Sequence, residues 1–322
     1  MNWKRSLFGR RELTLALACI VVAIVFQFLS PYFLTSDNLT TILRNSVELL
    51  LVSLGMTFVL ATAGIDIAVG GALGICAIFV GWSIQGGWPF PVVCLIGPLV
   101  GTGLGLVSAT LIVQGKIPPI IATLGLFGVY RAAIFLLLGG SWISGLPDTL
   151  GPAVNTTIAG IPLTAIYILF FYGVGGIVLR WLPLGVAIRA TGGNERAARL
   201  AGVSIGRTKF FVYGFTGLLV GCAAFLYVAR YRNVETSTGG VIALDAIVAS
   251  VLGGTSVLGG KANLLGAIFG VLLVRLLQNG FVLIGVPSLW EQVITGVLLI
   301  GVLVAEALAG RLKRSAFRHE MA

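Results

Sequence analysis

The sequence predicts an all-α integral membrane protein of about ten transmembrane helices, some of them broken, in two inverted five-helix halves. Three observations carry this. Hydrophobic residues make up 57% of the 322-residue chain and charged residues only 10%, where soluble domains carry roughly a quarter charged residues. Spans of about 20 residues leave room for about eight to ten crossings once loops are subtracted. Sixteen of the 21 Lys and Arg fall on one side of the resulting path, the asymmetry that marks a cytoplasmic face. Both termini then read as cytoplasmic and the whole of 1–322 as a single transmembrane domain. The net charge of +10 follows from the same rule and not from a nucleic-acid surface.

Residues Met1 to Glu12 form a basic arm with Lys4, Arg5, Arg10 and Arg11. Leu13 to Leu29 is an uncleaved first span, because no small-x-small cleavage site follows it. SPYFLTSDNLT reads as an interfacial aromatic and a loop. The second span begins near Val47 and ends near Ala63. Gly64-Ile65-Asp66-Ile67-Ala68-Val69-Gly70-Gly71 interrupts the apolar pattern, and a third span continues to about Ile84. After a short turn the fourth span covers Val92 to Val113. Its Gly97, Gly101 and Gly105 recur every four residues and leave one helix face as bare backbone. Gln114 to Pro119 is a turn stiffened by two prolines, and the fifth span runs from about Ile120 to Leu138. Gly139 to Ile161 lacks Lys and Arg and fits the outer side; a sixth span follows to about Leu182.

The second half begins with the longest polar run in the middle of the chain, Thr191 to Thr208. Its sequence, TGGNERAARLAGVSIGRT, belongs in water. ERAARLAG reads as a short helix, with Thr191 or Asn194 as its cap, Glu195 and Arg199 as a favourable pair four apart, and Gly202 as a left-handed stop. An exposed helix held between two spans is a docking surface for a soluble partner. The seventh span runs from Phe210 to Ala229 and Arg230 to Gly240 is an outer loop. Val241 to Gly260 is dense in glycine and reads as a broken or partly re-entrant segment. Leu264 to Ile284 and Leu289 to Leu308 complete the set, ahead of a basic tail, residues 309–322. Two halves of odd helix number are inverted relative to one another. That relates Asp66 to Asp245, each preceding a glycine-rich segment.

No catalytic constellation emerges. The single histidine, His319, lies in the tail, and the four cysteines are scattered through apolar segments, which excludes a zinc or redox motif. GGTSVLGGKA (Gly253 to Ala262) has Thr255 at the first glycine position of a phosphate loop and Ala262 in place of its hydroxyl, so it does not predict ATP binding. Asp66 sits at a helix break beside Gly70. It reads as a cap for the next half-helix, as a path-lining residue, or as a proton site. Asp245, ahead of Gly253 and Gly254, has the same three readings. Arg131 either snorkels or pairs with Glu48. Arg275, Gln278 and Asn279 share a helix face that is either an interhelical seam or part of a substrate path. Trp88, Trp142 and Trp290 read as interfacial anchors, with sugar stacking as the alternative.

Several blocks together resemble the permease subunits of bacterial simple-sugar ABC importers of the ribose, xylose and autoinducer-2 type. LGVAIRATGGNERAARLAGVSIGRTKFFVYGFTG looks like their cytoplasmic coupling region. LLVSLGMTFVLATAGIDIAVGGALGI and LDAIVASVLGGTSVLGG look like their second and third spans and their late glycine-rich block. With KIPPIIATLG the likeness covers most of the chain in order, and LGLFGVYRAAIFLLLGGSWISGLP looks closest to the autoinducer-2 and rhamnose branches. The family's Phe-Gly-Arg-like residues ahead of the loop are Leu184-Gly185-Val186 here. The resemblance implies a second permease copy or paralogue, two cytoplasmic ATP-binding subunits that hold the ATP and magnesium, and a periplasmic or extracellular binding protein that delivers a sugar. It places the chain in the bacterial inner membrane, with no cofactor of its own. Within residues 186–207 it assigns Asn194, Glu195, Arg196, Ala197, Ala198, Arg199, Leu200, Ala201 and Gly202 to ATPase coupling. Three other functions compete with sugar import: branched-chain amino-acid import by a related ABC permease, ion-coupled secondary transport through broken helices, and a membrane-embedded enzyme. The last lacks a nucleophile–base pair.

Overall fold

In the computed structural model, which describes residues 10–287, 289–301 and 304, helices account for most of the described residues. Lys4 and Arg5 of the expected arm and the whole 309–322 tail lie outside the described residues. The helices are α1 (Arg10–Leu29), α2 (Ser36–Ala61), α3 (Val69–Gln85), α4 (Phe90–Val113) and α5 (Pro119–Leu138) in the first half. A short α6 (Gly151–Asn155) and a small hairpin of β1 (Thr157–Ile158) and β2 (Ile161–Pro162) precede α7 (Leu163–Trp181). Then come α8 (Pro183–Gly193), α9 (Glu195–Leu200), α10 (Ile205–Tyr231), α11 (Ile242–Leu252) and α12 (Leu264–Leu283), followed by α13 (Trp290–Gly301). Seven of these are long and apolar enough to cross a membrane, and α3, α11 and α13 are shorter apolar helices. Together they make the ten expected.

The core is built on α2 and α10, the most enclosed of the long helices, while α1 turns Leu17, Ile20, Ile24 and Phe28 outward. An apolar face of that kind belongs against lipid or another membrane chain. The glycine stripe on α4 meets α10 as its spacing predicts. A side chain at Gly97 would strike the Gly221 carbonyl 2.6 Å away, one at Gly101 would strike the Gly217 carbonyl, and one at Gly105 the Tyr213 carbonyl. Backbone lies on backbone here, which is how helices associate where burial from water offers no drive.

The packing repeats under exchange of the two halves. The pairing of α2 with α12 and α11 recurs as α10 with α4 and α3, and α3 against α4 recurs as α11 against α12. These matched pairings are those that two related halves would share. Asp66 lies just before α3 and Asp245 in the first turn of α11, the two short helices that these pairings match.

Two boundaries differ from the sequence reading. The second span starts at Ser36, not Val47. Thr35 caps it by accepting from the Asn38 N–H at 3.4 Å, and Asn38 and Asn279 exchange amide hydrogen bonds of 2.9 and 3.0 Å. A helix of 26 residues is about 39 Å long, so its polar first turns extend past a hydrocarbon layer of about 30 Å. Likewise α10 starts at Ile205 and takes in residues read as loop. The segment from Val241 is broken as expected. Its helix α11 has 11 residues, enough for about half the layer, and the chain then turns through Gly253 to Asn263.

Candidate functional site

The short helix α9 projects from the end of the molecule where α8 meets α10. Asn194 is its cap: Asn194 Oδ1 accepts from the Ala197 N–H at 2.9 Å. Gly202 stops it with φ of +83°, a conformation that costs a side chain but not glycine. Glu195 receives Arg199 at 3.1 Å and, from the first turns of α10, Lys209 at 2.9 Å. The Lys209 hydrogen bond holds the Glu195 carboxyl below its ordinary range. These contacts fix α9 against α10 and divide its residues into two groups. Ala198 is buried within the chain, so it seats the helix and cannot offer contact surface to a partner. Arg196, Ala197, Arg199, Leu200, Ala201 and Gly202 face outward, and Leu200 is 86% exposed. Thr191 is buried at 2% exposure, which corrects the reading of the whole run as a watery loop. Its hydroxyl is satisfied within the helix by the Ala187 carbonyl at 2.7 Å.

Immediately before α9 three pieces of backbone converge. The Gly260 N–H donates to the Ala61 carbonyl at the end of α2, at 3.0 Å. A side chain on Gly192 would overlap that same carbonyl and come 2.7 Å from the Gly260 nitrogen. One on Gly259 would come 2.8 Å from the Ala63 methyl. The end of α8, the end of α2 and the turn after α11 are therefore in direct contact, with no side chain between them.

That turn is itself held from both sides. Gly254 has φ of +99° and lies under the Arg11 side chain, whose guanidinium donates to the Val251 carbonyl at 3.2 Å. Gly253 packs on the backbone of Gly266 and Ala267. Asn263 caps α12 and donates to Glu12 at 2.6 Å. The glycines read as a helix break are a tight joint.

At the far end of α10 lies a cavity of about 550 Å³. Arg131 from α5, Arg230 from α10 and Arg275 from α12 line it, with Glu48, Asp245 and Glu291. Glu48 pairs with Arg230 at 3.3 Å, not with Arg131, which donates instead to the Thr238 carbonyl at 3.4 Å. Asp245 accepts from Gln278 at 3.2 Å and from Thr295 at 2.9 Å, and Arg275 donates to Gln278 at 2.7 Å. The expected Arg275–Gln278–Asn279 face is divided. Asn279 belongs to the seam with Asn38, while Arg275 lines the cavity and the buried Gln278 links it to Asp245.

Asp66 behaves differently from its counterpart. It is buried at 3% exposure away from this cavity, and its Oδ1 accepts from the Ala68 N–H at 3.0 Å at the entry to α3. Gly70 lies one residue inside that helix, 2.6 Å from the Gly239 carbonyl when given a Cβ. Sequence reasoning missed the Glu48–Arg230 pair and the roles of Glu291 and Thr295. No local motif marks them, since the partners they meet lie on other helices.

Residues 38–303 match the family described as branched-chain amino acid transport system, permease component. The chain is 36% identical over 318 residues to an autoinducer 2 import system permease protein LsrC of Enterobacter, covering 99% of this chain and 92% of that one. It is 35% identical to the LsrC of Klebsiella pneumoniae with the same coverage, and 32% identical to that of Escherichia coli strain K12, covering 95% and 88%. In fold it matches a chain of a metal-chelate type ABC transporter in an inward-facing conformation, with TM-score 0.52, 18% identity, and 92% and 98% of the two chains covered. The chain belongs to the permease family of ABC transport systems, and it shares nearly its whole length with the permeases of autoinducer 2 import.

Proposed function

We propose that this chain is the translocating subunit of an ATP-driven importer for a sugar-like molecule of the autoinducer-2 class. One observation carries the reading: likeness to autoinducer 2 permeases at 36% identity runs over 99% of the chain, so it includes both the coupling end and the cavity end. The branched-chain amino-acid alternative rests on the family's description alone. Chain and relatives agree over nearly their full lengths, so residues 1–322 work as one permease unit.

In this reading α9 is the coupling helix. Arg196, Arg199 and Leu200 enter a groove on a cytoplasmic ATP-binding subunit, and that subunit holds ATP and magnesium and performs hydrolysis. The joint of Gly192, Gly260 and Ala61 then carries a push on α9 to the ends of α2 and α11. The cavity opens toward the opposite, periplasmic side, where a binding protein delivers the substrate. A second permease copy or paralogue completes the assembly. The chain sits in the inner membrane with both termini in the cytoplasm.

The test is purification of the tagged chain from mild detergent, followed by identification of what accompanies it. A co-purifying ATPase that is lost when the exposed residues of α9 are replaced is the expected result. A chain that purifies alone, and moves substrate in vesicles under an ion gradient without ATP, refutes the reading.

A further inference from the structure

We propose that the cavity bounded by Arg131, Arg230, Arg275, Glu48, Asp245 and Glu291 is a substrate subsite for a neutral, cyclic, polyhydroxylated molecule, with Arg131 as its specificity-determining contact. The inference rests on the import reading above and names where and how the substrate is held.

Three properties of the cavity select that ligand. Its charges balance, three guanidinium groups against three carboxylates drawn from six helices. A carboxylate or phosphate entering it would be left without a spare counter-charge, which is costly where Glu48 and Asp245 are 4% and 2% exposed. It also has donors to spare. The Nε atoms of Arg230 and Arg275 are buried without a partner, and a buried donor left unmade costs about 1–3 kcal/mol. Among the described residues Arg131 is held only by its long 3.4 Å bond to the Thr238 carbonyl. Ring hydroxyls answer this need, since each accepts and donates at once. Finally, Phe127, Tyr227 and Tyr231 add aromatic faces, against which the C–H face of a sugar ring packs.

Arg131 is singled out because the other two arginines are committed. Arg230 is tied to Glu48, Tyr231 and the Arg44 carbonyl, and Arg275 to Gln278. Arg131 can turn to a ligand at the cost of one weak bond.

The experiment uses the whole transporter, permease with its ATPase and binding protein, in proteoliposomes with labelled autoinducer 2 and labelled ribose as probes. Arg131→Gln should raise the KM for uptake by about 10- to 100-fold, the loss of one hydrogen bond to a charged group. ATP hydrolysis stimulated by the binding protein should stay within about twofold of wild type. Unchanged KM overturns the proposal. So does loss of uptake together with loss of that stimulation, which would make the cavity a seat for the binding protein. If Arg131→Gln fails to assemble, Arg131→Lys decides: a raised KM supports the subsite and a wild-type KM refutes it. Wild-type transporter that moves neither probe defeats the import reading itself, an outcome separate from any difference between variants.

Discussion

Replacing Leu200 by alanine separates the proposed coupling contact from the fold. Leu200 is 86% exposed at the last turn of α9, so its side chain does almost nothing for the permease alone. Surface changes of this kind move stability by no more than about 0.5 kcal/mol. If the side chain enters a groove on the ATPase, the alanine variant forfeits three carbon groups of burial. At about 0.8 kcal/mol for each, scaled to the exposed fraction, the loss is about 2 kcal/mol. That is about a 30-fold weaker complex. The assay is the dissociation constant between the detergent-purified permease and its ATPase, with the thermal midpoint of the permease measured beside it. The expected result is a large loss of affinity at an unchanged midpoint. An affinity within about twofold of wild type refutes the docking argument, because no other apolar side chain on α9 stands out so far.

Four further tests separate the remaining contacts. Ala198→Asp puts a carboxylate into the seat of α9, where the residue is 5% exposed; it should lower the thermal midpoint of the permease itself, unlike Leu200→Ala. Asn194→Ala removes the cap and should cost about 1 kcal/mol of local helix stability, seen as faster amide exchange across 195–200. Glu195 has a lowered carboxyl, so its stabilisation is complete above its ordinary value of 4.5 and is lost as pH falls through the lowered value. Affinity for the ATPase should therefore weaken under acid conditions in wild type, and Lys209→Ala should flatten that dependence. Gly192→Ala should destabilise by about 1–3 kcal/mol through overpacking at the Ala61 carbonyl, while Gly193→Ala, with only the Gly260 Cα as near as 4.0 Å, should melt with wild type.

Features that depend on neighbours in sequence are legible from the residues alone. The cap at Asn194, the stop at Gly202 and the α4 glycine stripe are written within a few residues, because helix periodicity and left-handed glycine are local physics. The start of α2 is not legible in this way. Hydropathy reports where lipid lies, whereas Thr35 and the Asn38–Asn279 pair continue the helix beyond it. The direction of Ala198 is equally hidden. In a six-residue helix with no apolar periodicity to read, the Lys209 tether from α10 to Glu195 helps fix which face turns inward.

The two aspartates show the same division at the site. From sequence they have one logic, a carboxylate beside a glycine-rich break, and both stand at the entry to a short apolar helix. Their neighbours make them different. Asp66 finds a partner two residues away in the Ala68 N–H and is spent on the chain's own entry to α3. Asp245 is already inside α11, where the backbone satisfies itself, so its oxygens reach across to Gln278 on α12 and Thr295 on α13. A carboxylate used locally can hold a break. One used across three helices ties their relative positions to the cavity between them, so a ligand that shifts any of those helices must also work against that network. The asymmetry between the halves thus leaves Asp245, and not Asp66, at the cavity, on the polypeptide stretch that runs on into the backbone joint beside α9.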